Sequence, residues 1–187
     1  WDGPKGTFPS TPIRKKQLFQ CFAEFLRAAG TRYGRPVPFY IMTSPQNDAP
    51  TRAFWQQHRF FGMNPDNVRF FTQDSMPAVG FDGKVLLERK DSLALSPNGH
   101  GGSLLALYKS GATADMAHRG VTQISYFQVD NPIVRCVDPT FLGLHPSSSP
   151  DAKCYVIYKN VGFSSVPIDT VCGNFPTIYT PSASSPG

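Results

Sequence analysis

Residues 96–131 read SPNGHGGSLLALYKSGATADMAHRGVTQISYFQVDN, and the two ends of this stretch decide the fold. At its start, Ser96-Pro97-Asn98-Gly99-His100-Gly101-Gly102 is a glycine-rich loop that opens a helical pattern. At its end, the apolar run from Thr122 to Val129 leads into Asp130-Asn131. About thirty residues lie between the two, room for one helical crossover between parallel strands. A glycine loop lets backbone approach a ligand closely. An acid at the carboxyl end of a parallel strand can hold Mg2+ where phosphates sit. The pair points to nucleotide handling.

Upstream, Leu18, Phe19, Phe22, Phe25 and Leu26 recur at helical spacing, with Gly30 as the expected C-cap. Residues 37–43 (VPFYIMT) are almost continuously apolar, as in a strand covered on both faces. Asp48-Ala49-Pro50 opens a second helix that runs through Phe54, His58 and Phe61 towards Gly62. Residues 67–73 (NVRFFTQ) read as the next strand. Asp82-Gly83 reads as a turn followed by a strand over 85–88, hence a hairpin. Residues 103–119 read as one or two helices ending near Gly120, and Asp138-Pro139 starts another. Strand–helix–strand order with an inserted hairpin predicts an α/β domain with a mostly parallel mixed sheet.

After His145 the composition changes. PSSSPD at 146–151 and TPSASSPG at 180–187 flank one candidate strand, 153–159, and an aperiodic stretch over 161–180. The expected organisation is a domain over 1–145 and an atypical Pro/Ser-containing tail over 146–187, read as frameshifted or truncated.

Composition narrows the class. With 187 residues and 40% hydrophobic side chains the chain can bury a core, so 18 prolines and 16 glycines signal loops rather than disorder. The net charge of +5 is scattered apart from Arg14-Lys15-Lys16, and no aromatic-interleaved basic stripe follows, so nucleic acid is not an expected partner. No apolar run reaches membrane-spanning length and no signal peptide is visible, which leaves a cytoplasmic protein as the expectation. Cys21, Cys136, Cys154 and Cys172 match no zinc spacing and read as reduced thiols; in an oxidising compartment Cys154 and Cys172 could pair.

Five segments carry chemistry. Lys5, framed by Gly3-Pro4 and Gly6, is either a point charge for a phosphate or a solvated turn lysine. Gln73, just past a strand, offers the donors and acceptor that a base edge requires, or simply bonds a loop. Gly99 and its neighbours can aim backbone N–H groups at an anion or a base, or make a plain tight turn. His100 could donate to a phosphate or sugar oxygen. Asp130 is the candidate metal ligand, with N-capping as its alternative, and Asn131 orients it or touches substrate. No Ser/His/Asp triad can be argued, and His58 and His118 lie in helical stretches.

The ordered series PKGTFP (4–9), LFQCFAEFLRA (18–28), VPFYIMTS (37–44), FFGMNPDNVRFFTQDSMPAVGFDGKVLLE (60–88), SPNGHGGSLLAL (96–107) and DMAHRGVTQISYFQVDNPIVRCVDPTFLGL (115–144) is distinctive. It strongly resembles the UDP-sugar pyrophosphorylase family, nearest its N-acetylglucosamine branch, over residues 3 to about 145. The resemblance implies a Rossmann-like nucleotidyltransferase domain, here incomplete at both ends. It implies a reaction of UTP with N-acetylglucosamine 1-phosphate that gives UDP-N-acetylglucosamine and pyrophosphate with Mg2+. By the same resemblance Lys5 contacts phosphates, Gln73 and Gly99 recognise uracil, and His100 lies near the sugar phosphate. Asp130 holds the metal with Asn131 beside it. The family's GGxGTRLG loop and its distal sugar-binding residues are not recognised here, so these residues alone are expected to have little activity. A histidine between the loop glycines, where the family usually has asparagine, resembles the glucose branch. UDP-glucose synthesis is therefore the alternative, together with an inactive nucleotide-binding fragment. Oligomeric state is not legible.

Overall fold

The computed structural model describes residues 3–99, 101–129, 134–144, 155–158 and 164–167. After a short 3-10 turn at Lys5–Thr7, the first long element is helix α1, Leu18–Tyr33. It buries Leu18, Phe19, Phe22, Ala23, Leu26 and Ala29, one stripe at 3.6-residue spacing. Phe25 was expected on that stripe and is instead 37% exposed, because it falls beside the stripe rather than within it. The helix also passes its expected cap. Gly30 stays helical, and a Cβ there would sit 3.2 Å from the Arg35 carbonyl of the returning chain. Gly34 ends the helix at φ 70°, a left-handed conformation that costs glycine little.

Strand β1 (Phe39–Thr43), helix α2 (Asp48–Gln57) and strand β2 (Val68–Thr72) follow. The two strands pair in parallel over their whole length, from Phe39 opposite Val68 to Thr43 opposite Thr72. Between α2 and β2, Arg59, Phe60, Phe61 and Gly62 all take positive φ. Such a run is costly for side chains with a Cβ. It is held by Trp55, whose ring meets Phe60 and Phe61 at 6.3 and 5.2 Å, and by Arg27, which donates to the Phe61 carbonyl at 3.1 Å.

A lobe of short antiparallel strands comes next: β3 (Ser75–Pro77), β4 (Leu87–Arg89), β5 (Ser92–Leu93) and β6 (Leu95–Pro97). The expected Asp-Gly turn is present: Gly83 N–H bonds the Gly80 carbonyl and Gly80 N–H the Lys84 carbonyl, bringing Val79 opposite Val85. The strand after it then pairs forward, β4 with β5, while β6 returns to β3. Helices α3 (Ser103–Lys109) and α4 (Ala112–His118) are separated at Gly111, and strand β7 (Gln123–Tyr126) and helix α5 (Pro139–Leu144) follow. Strand β8 (Tyr155–Tyr158) pairs in parallel with β7, and β9 (Ser164–Pro167) pairs antiparallel with β8. A strand within 153–159 is thus present, whereas 164–167, expected to be irregular, is a strand.

The protein is mixed α/β with several small sheets. The expectation of a mostly parallel mixed sheet is met in part: two ladders are parallel and three antiparallel among the described residues. The lobe and β9 supply the antiparallel ladders. Two apolar layers flank the strands. One joins α1, Trp55, Ile41 and Val68; the other joins α3, α4 and Phe71, with Tyr40, Met42 and Ile124 packed against it. Strand β1 therefore contributes to both layers, as its apolar run foretold. Among the described residues no helix is long and apolar enough to cross a membrane. Cys21 is a free thiol, and Cys136 is buried.

Candidate nucleotide site

The carboxyl ends of β1 and β2 are locked together by Thr43. Its Oγ1 lies 2.6 Å from Asp48 Oδ1 and 3.2 Å from the Phe71 carbonyl, and Gln73 N–H donates to the Thr43 carbonyl at 2.9 Å. Burial pushes the Asp48 carboxyl up, but hydrogen bonds from Arg52 and Thr43 outweigh it and hold the group below the usual range. Asn47 Oδ1 accepts from Ser44 N–H at 2.7 Å, so the loop after β1 is fixed by its own side chain.

Gln73 sits on this frame with its Oε1 enclosed and without a hydrogen-bond partner. An enclosed amide oxygen left unpaired is costly, and a ligand N–H can satisfy it. The glycine loop is tied to the same place. Asn98 N–H donates to the Asp74 carbonyl at 3.0 Å, Ser75 lies opposite Pro97, and Lys109 pairs with Asp74 at 2.8 Å. Gly99 takes φ 66° with open space where a Cβ would stand. Gly102 has the opposite environment: a Cβ there would lie 2.6 Å from Asn98 Nδ2, so the Asn98 amide folds onto the loop only because residue 102 is glycine. Gln73 and Gly99 are thus brought to one edge.

Lys5 reaches the other part of that edge. It begins the 3-10 turn and lines a cavity of about 620 Å3 together with Thr43, Asn47, Ser103 and Val129. Ser103 Oγ lies 3.2 Å from Tyr126 Oη, linking the start of α3 to the end of β7. His100, Asp130 and Asn131 lie outside the described residues. Among the described residues no group of three His, Cys, Asp or Glu side chains converges.

Sequence reading missed Thr43, Ser103 and Tyr126. Thr43 had a signal: it is the hydroxyl that ends the apolar run of β1, where parallel strands present ligands. The Ser103–Tyr126 contact spans twenty-three positions and had none.

Comparison with known proteins places the chain as a whole. A family model described as UTP-glucose-1-phosphate uridylyltransferase matches residues 2–159. The match runs past His145, where sequence reading saw the resemblance end. The human UDP-N-acetylhexosamine pyrophosphorylase-like protein 1 is 40% identical over 175 residues, covering 90% of this chain and 34% of that protein. The UDP-N-acetylglucosamine diphosphorylase 1 of Arabidopsis thaliana is 43% identical over 166 residues, covering 83% of this chain and 33% of that protein. Among solved structures, a candidate UDP-N-acetylglucosamine pyrophosphorylase from Entamoeba histolytica superposes with a TM-score of 0.64 at 29% identity, covering 76% of this chain and 37% of the other. The chain spans about a third of the length of the curated relatives it matches.

Proposed function

This chain belongs to the UTP-glucose-1-phosphate uridylyltransferase family, and from that premise we propose that it carries the uridine-reading part of an enzyme that makes UDP-N-acetylglucosamine and pyrophosphate. The substrates are UTP and N-acetylglucosamine 1-phosphate; relatives named for N-acetylated sugars favour this branch over glucose. The observation that carries the reading is Gln73, whose enclosed and unpartnered Oε1 stands beside the open Gly99 loop.

In this reading Gln73 accepts from a uracil N–H, and the loop at Gly99 approaches the base with bare backbone. Lys5 brings positive charge to the phosphates from the cavity wall. His100 and Asn131 contact the sugar phosphate and its surroundings. The sugar phosphate oxygen attacks the α-phosphorus, that P–O bond forms, and the bridging P–O bond to the β-phosphate breaks, its electron pair leaving with pyrophosphate. No covalent intermediate on the protein is needed, so positioning and charge neutralisation carry the rate. Asp130 would hold Mg2+ with the substrate phosphates, an arrangement that needs only one carboxylate and supplies charge neutralisation. We further place β1, β2 and β7 in a Rossmann-like arrangement, and the free thiol of Cys21 supports a reducing compartment such as the cytoplasm.

The test is calorimetry with UTP and CTP, with and without Mg2+. Saturable binding that favours UTP, and that Gln73→Ala weakens by about tenfold, is the expected outcome, since one base hydrogen bond is at stake. Asp130→Ala should remove the gain from Mg2+ and spare base selectivity. Equal binding of UTP and CTP by the unaltered chain would overturn the reading.

A further inference from the structure

Residues 8–17 form a loop that the uridylyltransferase reading does not use, and it carries the chain's longest run of basic residues, Arg14-Lys15-Lys16. The loop is closed where it meets α1. The Phe8 carbonyl accepts from Leu18 N–H at 3.2 Å, the Lys16 carbonyl accepts from Ser10 N–H at 2.9 Å, and Pro9 lies opposite Gln17. Beyond that closure Pro12, Ile13, Arg14 and Lys15 stand exposed, Ile13 to 91%. Thr11 holds the bend: its carbonyl accepts from Lys15 N–H at 3.0 Å and its Oγ1 from Lys16 N–H at 2.7 Å. Lys15 is thereby kept at φ 52°, a left-handed conformation that a residue with a Cβ rarely adopts. Releasing those two bonds relieves Lys15, so the bend opens readily into extended chain.

Thr11 also has a sequence setting that its counterparts lack. Serine or threonine precedes proline at 11, 44, 96, 149, 180 and 185. Two places beyond that proline stands Arg14 in the first case, and Asn47, Gly99, Ala152 and Ala183 in the next four. Ser44 is moreover buried. A recognition cleft that offers no acceptor just past the reacting hydroxyl rejects every residue but proline, which has no N–H to strand. Negative charge on the rim of such a cleft selects the base. We propose that Thr11 is a phosphorylation site for a proline-directed protein kinase, and that the basic side chains of the same loop then hold its phosphate. In the transfer, Thr11 Oγ1 attacks the γ-phosphorus of ATP and a new P–O bond forms. The bond from that phosphorus to ADP breaks, its electron pair leaving with ADP, and the hydroxyl proton passes to the kinase's catalytic carboxylate. The product carries a charge of about −1.5 to −2 near neutral pH. Arg14, Lys15 and Lys16 face it from the loop, and the opposing group is Glu24, which now pairs with Lys16 and accepts from Gln20 at 2.9 Å. The phosphate carries more charge than Glu24 and three acceptor oxygens, so it draws Lys16 from that carboxylate.

The test incubates the 187-residue chain with ATP, Mg2+ and a purified cyclin-dependent protein kinase, which selects both that proline and that base. Mass spectrometry maps the product. One phosphate on Thr11 is expected. Thr11→Val and Pro12→Ala should abolish it, and Arg14→Ala should slow it by about tenfold or more. Phosphorus NMR reads the seating of the phosphate separately. The basic side chains should hold its second pKa lower by about 0.5 or more than in the urea-unfolded chain, and Lys16→Ala should remove part of that difference. Three results would overturn the site: no phosphate on Thr11, transfer to Ser10 in its place, or a Pro12→Ala chain modified as fast as the unaltered one. Equal pKa values in the folded and unfolded chains would overturn the seating. No uridine nucleotide takes part, so failure here leaves the uridylyltransferase reading untouched.

Discussion

The layer beneath α1 and the lobe over residues 75–97 are made of similar side chains and end in opposite states. Under α1, Phe19, Phe22, Ile41 and Trp55 are buried, Trp55 completely. In the lobe no residue is buried, and Met76, Phe81, Leu87 and Leu95 stand exposed. The lobe is held by its backbone: Ala78 N–H to the Ala94 carbonyl at 2.7 Å, Leu86 N–H to Ala78 at 2.8 Å, and Ala94 N–H to Leu86 at 2.9 Å. Each such bond contributes about 1 kcal/mol net, whereas each large side chain taken from water contributes about 1.5–3 kcal/mol. Cross-strand bonds set the shape of the lobe, and stability is concentrated under the helix. Substitutions that remove apolar atoms should therefore be felt in one region and scarcely in the other.

The largest effect is expected at Trp55. Its ring contacts Phe19, Phe39, Phe60, Phe61 and Phe70, and it also backs the left-handed turn. Trp55→Ala should cost about 3–5 kcal/mol, read as a lowered urea midpoint. Trp55→Phe should cost much less, because the indole Nε1 is buried without a partner and its loss removes an unsatisfied donor. Equal costs for the two substitutions would mean that ring volume is not what holds this layer.

Asp115 ties the second apolar layer to the strands and sharpens the comparison through pH. Its Oδ2 accepts from Tyr40 Oη at 2.6 Å and from Arg119 Nε at 2.8 Å, and Arg119 reaches on to Asn67 and the Asp66 carbonyl. The Tyr40 hydrogen bond above all, with Arg119 and Arg69, holds the Asp115 carboxyl below its usual range. Burial, with Asp115 beside it, pushes the Tyr40 hydroxyl well above its ordinary value. Lys16 similarly lowers Glu24. A carboxyl lowered by folding stabilises the native state above its unfolded pKa of about 4 and loses that contribution as pH falls through the folded value. The melting temperature should thus fall as pH drops below about 4, and Asp115→Asn should flatten that fall while lowering stability at pH 7. A melting profile of Asp115→Asn that tracks the unaltered chain at every pH would remove Asp115 from this role.

Legibility follows the same division. Alternation and helical spacing were informative wherever a second layer exists to receive the apolar face, so α1, β1, α2 and β2 were read with the right type and nearly the right bounds. They were less informative in the lobe, where Val85–Glu88 was read as a strand yet pairs forward with β5. Local turn chemistry fixes Gly80–Gly83, but nothing local selects between two possible partners. The site divides likewise. Gln73 and Gly99 were legible because each ends an element, and the structure brings them to one edge. Thr43's lock on Asp48 and Ser103's contact with Tyr126 depend on which strand ends become neighbours, which spacing does not carry.

Gly34→Ala comes next in size. Its φ of 70° with nothing crowding the Cβ position isolates the backbone term from any clash. A loss of about 1 kcal/mol is expected, whereas Gly30→Ala should act instead through the 3.2 Å approach of the Arg35 carbonyl. If Gly34→Ala were neutral and Gly30→Ala costly, the helix would end where its sequence first suggested.

The smallest effect is expected at Phe81, and it tests the lobe most directly. The side chain is fully exposed at the tip of the Gly80–Gly83 turn, so folding removes almost none of it from water. Phe81→Ser should change stability by less than about 0.5 kcal/mol, in contrast to any aromatic beneath α1. It should still matter to behaviour in solution, because Phe81 stands with Met76, Val79, Val85 and Leu87 on a lobe that covers none of them. Exposed apolar side chains gathered on one lobe promote association. Sedimentation of the Phe81→Ser chain should show less concentration-dependent association at unchanged urea midpoint. A lowered midpoint would mean that Phe81 is covered in solution, and the lobe would then belong with the buried layer rather than opposite it.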